Sequence, residues 1–140
     1  MMNRSMTEIV RRQTPATLPS SATVEHACRL MRDRQVGAVL VTGIDGHLVG
    51  LFTGRDAVTR VGAEALDPSR VLLRTVMTAH PHTIGPQAHA IDALRVMQDG
   101  GYRHLPILDG TKIAGIVSQG DFKGLELARL DEETRFWELL

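Results

Sequence analysis

Apolar residues recur at helical spacing in two stretches. Val24, Ala27, Leu30 and Met31 form one, and Ile91, Leu94 and Met97 the other. This is the one-face periodicity of an amphipathic helix, and at this spacing the methionine and aliphatic side chains read as core. Residues 36–41 and 105–108 are short apolar runs suited to buried strands. Each is followed by a turn signal, Asp45-Gly46 or Asp109-Gly110. Residues 48–53 and 113–118 then read as second strands, which predicts two hairpins. Thr17-Leu18 and Thr83-Ile84 are short extended segments after prolines. Helices are expected over 56–64 and 121–130. The order strand, helix, strand, strand, helix is therefore predicted twice, an α+β architecture.

The residues themselves repeat. Pro15-Ala16-Thr17-Leu18 returns as Pro81-His82-Thr83-Ile84, and Ala27 and Met31 return at the same spacing as Ala93 and Met97. Gly50-Leu51-Phe52-Thr53 and Asp56 return as Gly115-Ile116-Val117-Ser118 and Asp121, with one residue fewer between the copies. The deletion falls in the turn at 42–46, where the surface tolerates it. Two copies are too few for a solenoid, so two similar subdomains related by an approximate twofold axis are expected. Residues 62–70, with Pro68, form the link.

Composition narrows the chemistry. The chain has 140 residues, 43% of them hydrophobic, with 16 basic and 16 acidic residues. A net charge of zero argues against nonspecific nucleic-acid binding, which needs excess cations to release counterions from phosphates. The single cysteine, Cys28, excludes an internal disulfide and reads as a buried small hydrophobe. No apolar run approaches the roughly 20 residues that span a bilayer, and the first residues lack the apolar stretch of a signal peptide. The expectation is a soluble, cytoplasmic protein without a membrane or nucleic-acid partner. His80, His82 and His89 flank or follow Pro81 without the acidic or cysteine neighbours of a metal site, and read as solvated loop. No nucleophile elbow, Walker loop or HExxH occurs, and no enzyme is expected.

The pattern Gly-x-x-Thr/Ser-x-x-Asp is the strongest candidate chemistry. It occurs as Gly50 to Asp56, with Thr53 and Arg55 inside it, and as Gly115 to Asp121, with Ser118. Both copies lie where a strand gives way to a helix, whose first N–H groups attract anions. The hydroxyl can bond a ribose or phosphate, and the carboxylate can accept from vicinal ribose hydroxyls. The same spacing also resembles a capping box, and the two roles are compatible. A second group, Tyr102-Arg103-His104-Leu105-Pro106, opens a strand of the second copy. Arg103 offers a fork of donors for phosphate, His104 another donor, and Tyr102 a flat wall for a base. The matching Val36-Gly37-Ala38-Val39 carries no charge.

These features together resemble a pair of CBS (cystathionine β-synthase) domains, the Bateman module. The resemblance rests on Val76-Met77-Thr78, Pro81, Thr83, Ala93, Met97, residues 102–107 and both Gly-x-x-Thr/Ser-x-x-Asp blocks. It spans residues 5–62 as one repeat and 71–128 as the other, leaving 129–140 as a helical tail. It implies two β-α-β-β-α repeats with sheets face to face. It further implies an adenosine-containing ligand such as AMP, ADP, ATP or S-adenosylmethionine as a regulatory ligand, with no obligatory cofactor. The implied contacts are Thr53, Asp56, Ser118 and Asp121 to ribose and phosphate, and Arg103, His104 and Arg55 to phosphate. Thr83, Tyr102 and Pro106 are implied near the base, and Thr17 is a further ligand-binding candidate.

The resemblance also implies a homodimer and an unidentified regulated protein. The first copy departs from the family pattern, with Arg11-Arg12 where the second has Met77-Thr78. At most one tight nucleotide site, or two sites of unequal affinity, is therefore expected. The apolar tail at 130–140, with Phe136, Trp137, Leu139 and Leu140, is expected to pack on a repeat or a second subunit. The competing reading is a ligand-free scaffold that docks or dimerises through its apolar helices.

Overall fold

The structure is a computed structural model that describes residues 4–122, together with 127, 128 and 135. The chain forms two compact units, one of residues 14–81 and one of residues 1–13 with 82–140. The expected tail packing lies outside the described residues.

In the first unit, β1 (Thr17–Pro19) pairs in parallel with β2 (Ala38–Thr42), which pairs antiparallel with β3 (Leu48–Thr53). A short β4 (Thr78–Ala79) extends the sheet antiparallel to β3. The helix α2 (Val24–Arg34) starts on Thr23, whose hydroxyl accepts from the His26 N–H at 3.2 Å. Its buried stripe, Val24, Ala27 and Met31, packs with Val39, Val41 and Phe52 of the sheet. The core positions of the apolar periodicity are therefore as expected.

The second unit repeats this plan. Its helix Ala90–Gly100 buries Ala93, Leu94 and Met97 against Leu105, Ile107 and Val117. These last three residues come from a hairpin of strands His104–Asp109 and Lys112–Ser118. Ile84 bridges in parallel to Ile107, the counterpart of the β1–β2 pairing. The repetition reaches the irregularities, because the hairpins slip register between Val41 and Thr42 and between Ile107 and Leu108. At the helix ends, Gly101 (φ 69°) and Gln35 (φ 53°) both take left-handed caps. Glycine does this freely, whereas glutamine does so against its Cβ.

The lead-in segments cross over. The helix α1 (Met6–Val10) precedes the first repeat but packs in the second unit, where Met6 and Val10 join the core. Its counterpart, α4 (Leu73–Val76), precedes the second repeat and packs in the first unit through Leu73 and Val76. One equivalent glycine admits each crossing. A Cβ on Gly50 would collide with the Met77 side chain, and one on Gly115 with Val10 and Gln13. The Gln13 amide then acts as a strand residue would. Its Nε2 donates to the Ile116 carbonyl and its Oε1 accepts the Ile116 N–H, both at 2.7 Å.

Two helices differ from expectation. The one predicted over 56–64 begins earlier, as a single turn α3 (Gly54–Asp56) that widens into a π-helix over Ala57–Gly62. Within it the Ala63 N–H reaches the Val58 carbonyl at 2.8 Å. Where the other was predicted to start, at 121, the chain instead forms a 3-10 turn, Gln119–Asp121, that ends on an extended Phe122. The remainder of that prediction lies largely outside the described residues.

Candidate functional site

Both Gly-x-x-Thr/Ser-x-x-Asp motifs fold as caps. Thr53 ends β3 in extended backbone, and its Oγ1 accepts the Asp56 N–H at 3.2 Å. The Asp56 carboxylate in return accepts the Thr53 N–H at 3.0 Å. In the second copy, Asp121 Oδ2 accepts the Ser118 N–H at 2.7 Å and the Ser118 hydroxyl at 3.4 Å. Thr or Ser with Asp three residues on thus satisfies donors that the strand end and helix start would leave open.

The two carboxylates differ in what else they meet. Asp56 is half-buried, and its Oδ1 lies 3.5 Å from Arg60 Nε. Arg60 also donates to the carbonyls of Val76 and Met77, each at 3.1 Å. Asp121 is exposed, and Arg4 donates to its main-chain carbonyl at 2.9 Å. Among the described residues, no cation sits on the Asp121 carboxylate.

In the second unit, a cleft of about 670 Å3 lies beside the second motif. One wall is Gly101, Tyr102, Arg103 and His104, and another is Ser118, Gln119 and Gly120. The hairpin register makes this meeting inevitable, because His104 pairs with Ser118 across the ladder. Leu105 and Ile107 point into the core, so the alternating His104 faces away from it. Arg103 is exposed and His104 half-buried.

Tyr102 is held by backbone chemistry. Gly101 closes the helix, the Tyr102 N–H bonds the Met97 carbonyl at 2.9 Å, and the ring folds over Gly100, where any Cβ would strike it. The His82 ring lies 5.5 Å from the Tyr102 ring, tilted by 37°.

The cleft therefore gathers Tyr102, Arg103, His104 and Ser118, with Asp121 bonded to Ser118. Thr83 is half-buried and Pro106 buried, and neither lines this cleft. The Pro106 carbonyl instead accepts the Ile84 N–H at 3.0 Å. In the first unit, Thr17 is exposed on β1, and Arg55 is exposed with its carbonyl accepting the Thr59 hydroxyl at 2.9 Å. Gln98, Gln119 and Gly120 line the cleft without having been singled out in the sequence. Arg60 was also overlooked, although its place one turn after Asp56 is a readable signal. Among the described residues, no cluster of three or more His, Cys, Asp or Glu is arranged for a metal, and no helix is long and apolar enough to cross a membrane.

The family model of the CBS domain matches the chain twice, over residues 6–62 and 73–126. A CBS domain-containing protein of Arabidopsis thaliana is 38% identical over 101 residues, which cover 72% of this chain and 18% of that protein. The chain thus spans about a fifth of the length of such plant relatives. The CBS domain-containing protein YhcV of Bacillus subtilis is 33% identical over 106 residues, covering 76% of this chain and 74% of YhcV. Among solved structures, a CBS-domain protein of Agrobacterium tumefaciens superposes with a TM-score of 0.77 at 25% identity, covering 86% and 91% of the two chains. A CBS domain protein of Pyrobaculum aerophilum complexed with AMP superposes with a TM-score of 0.83 at 22% identity, covering 92% and 99%. With the family pattern matched twice along a chain that folds as two copies of one plan, this protein belongs to the CBS-domain family as a tandem CBS pair.

Proposed function

We propose that this chain is a regulatory module that binds an adenosine-containing ligand in the cleft of the second unit and transmits that occupancy to a partner protein. The observation that carries this reading is the convergence of Tyr102, Arg103, His104 and Ser118 on one cleft of about 670 Å3. A flat ring, a guanidinium, an imidazole and a hydroxyl match the base, phosphate and ribose of a nucleotide in chemical kind. Asp121, anchored to Ser118 and exposed, suits a ribose diol. AMP is the first ligand to test, since the Pyrobaculum relative was solved with it. ADP, ATP and S-adenosylmethionine follow.

The test is a thermal-shift screen with these ligands. A ligand that binds only the folded state raises Tm by mass action, contributing about 2.7 kcal/mol at a hundredfold excess over Kd. Asp121→Ala is expected to abolish the shift while leaving the ligand-free melt close to that of the parent. If no adenine compound moves Tm, the nucleotide reading fails and the scaffold reading replaces it. Homodimerisation belongs to the same proposal, and light scattering on the purified chain checks it.

A further inference from the structure

The two motif carboxylates are chemically alike, yet the first unit holds its own under a guanidinium. Arg60 lies 3.5 Å from Asp56, whose side chain is only 14% exposed. The same Arg60 bonds the Val76 and Met77 carbonyls at the end of α4. It springs from the π-helix that follows the motif, a rare geometry that recurs at functional sites. The second repeat has Leu125 at the matching position, which carries no charge.

From this asymmetry we infer that Arg60 is a built-in latch that occupies Asp56 and keeps the first repeat's ribose-type site closed. The inference deepens the nucleotide reading above and rests on it. An exposed ion pair one helical turn apart would be a weak barrier. This one is different in two respects. The Asp56 side chain is largely withdrawn from water while Arg60 is about half exposed, and release of Arg60 would give up its bonds to two main-chain carbonyls as well as the ion pair. A ribose diol arriving at Asp56 must therefore replace the Arg60 contact and leave those carbonyls to find water. At Asp121, the same diol meets an exposed carboxylate that, among the described residues, is engaged by Ser118. The competent fraction of the first site is reduced accordingly, which weakens its apparent affinity in proportion.

Calorimetric titration with AMP tests this on the full chain. The parent is expected to bind about one AMP tightly, with any second site at least about tenfold weaker. Arg60→Gln is expected to bring the second site to within about tenfold of the first, and adding Asp56→Asn to that variant to remove it again. If circular dichroism shows Arg60→Gln unfolded, Arg60→Lys carries the comparison. Lysine keeps the charge but lacks the fork that reaches carboxylate and carbonyls together. Unchanged stoichiometry in the substituted chain overturns the latch while leaving the nucleotide reading intact. So do two equal sites in the parent, or weakened total binding, which would make Arg60 a ligand contact. No AMP binding to parent or variant removes both.

Discussion

Gly100 and Gly101 stand side by side for unrelated reasons. Gly101 takes a left-handed helix cap, and Gly100 lies under the Tyr102 ring. The ring is the free end of a side chain, so Gly100→Ala is expected to displace it rather than unfold the helix. Alanine regains up to about 1 kcal/mol of helix propensity at that position. The expected outcome is an unchanged or slightly higher Tm with loss of the nuclear Overhauser contact between the His82 and Tyr102 rings. Retention of that contact would show that the ring does not depend on the glycine. Cys28 offers a second test at this scale. Cys28 is half-buried rather than buried as its sequence suggested, and that partial burial pushes its thiol above the ordinary value, so the folded state favours the protonated form. The stability this confers is fully present below the unfolded thiol's pKa and is lost as pH rises through the folded one. Alkylation near neutral pH should be slow in the folded chain and should accelerate in denaturant.

Among the elements, the helix ends and the sheet edges carry the tension. Gln35 accepts a left-handed backbone that costs a residue with a Cβ about 1–2 kcal/mol. Gln35→Gly relieves it and forfeits about 0.5–1 kcal/mol of chain entropy. A net stabilisation of roughly 0.5–1 kcal/mol, read by denaturant titration, is expected. The Gln13 side chain closes the edge of the last strand with two hydrogen bonds to Ile116. Gln13→Ala leaves a half-buried N–H and C=O to water, at an expected cost of about 1–3 kcal/mol. Protection of the Ile116 amide from hydrogen exchange should fall with it. Neither role is legible in the sequence, because a glutamine after a short helix has no periodicity to betray it.

For the whole molecule, the crossing of the lead-in segments has the largest consequence. Met6 and Val10 are buried with Leu94, Met97 and Leu105, residues far along the chain. Each such side chain contributes about 1.5–3 kcal/mol by leaving water. Deletion of residues 1–13 is therefore expected to loosen the unit built from 82–122, at the other end of the sequence. Hydrogen exchange over 90–118 reads this directly. If protection fell instead over 24–53, α1 would belong with the repeat that follows it.

Local order writes itself into the sequence, and that part was legible from the residues alone. The helical spacing of Val24, Ala27 and Met31, the apolar runs closed by Asp-Gly turns and the repeated Gly-x-x-Thr/Ser-x-x-Asp signal act over one or two turns of chain. They set the helices, the hairpins and both caps. The ladder pairing of His104 with Ser118 follows once the hairpin is fixed, so the meeting of the two second-repeat motifs was within reach of the sequence. Three features depend on groups brought together from distant positions, and only the tertiary structure decided them. One is that α1 and α4 each pack in the unit of the other repeat. Another is that Gly50 and Gly115 are small because Met77 and Val10 cross them. The last is that Arg60 bonds carbonyls at 76 and 77 while holding Asp56, so two carboxylates in one motif meet different surroundings. A motif specifies which groups are present. The packing of remote segments determines which of those groups remain open to a ligand.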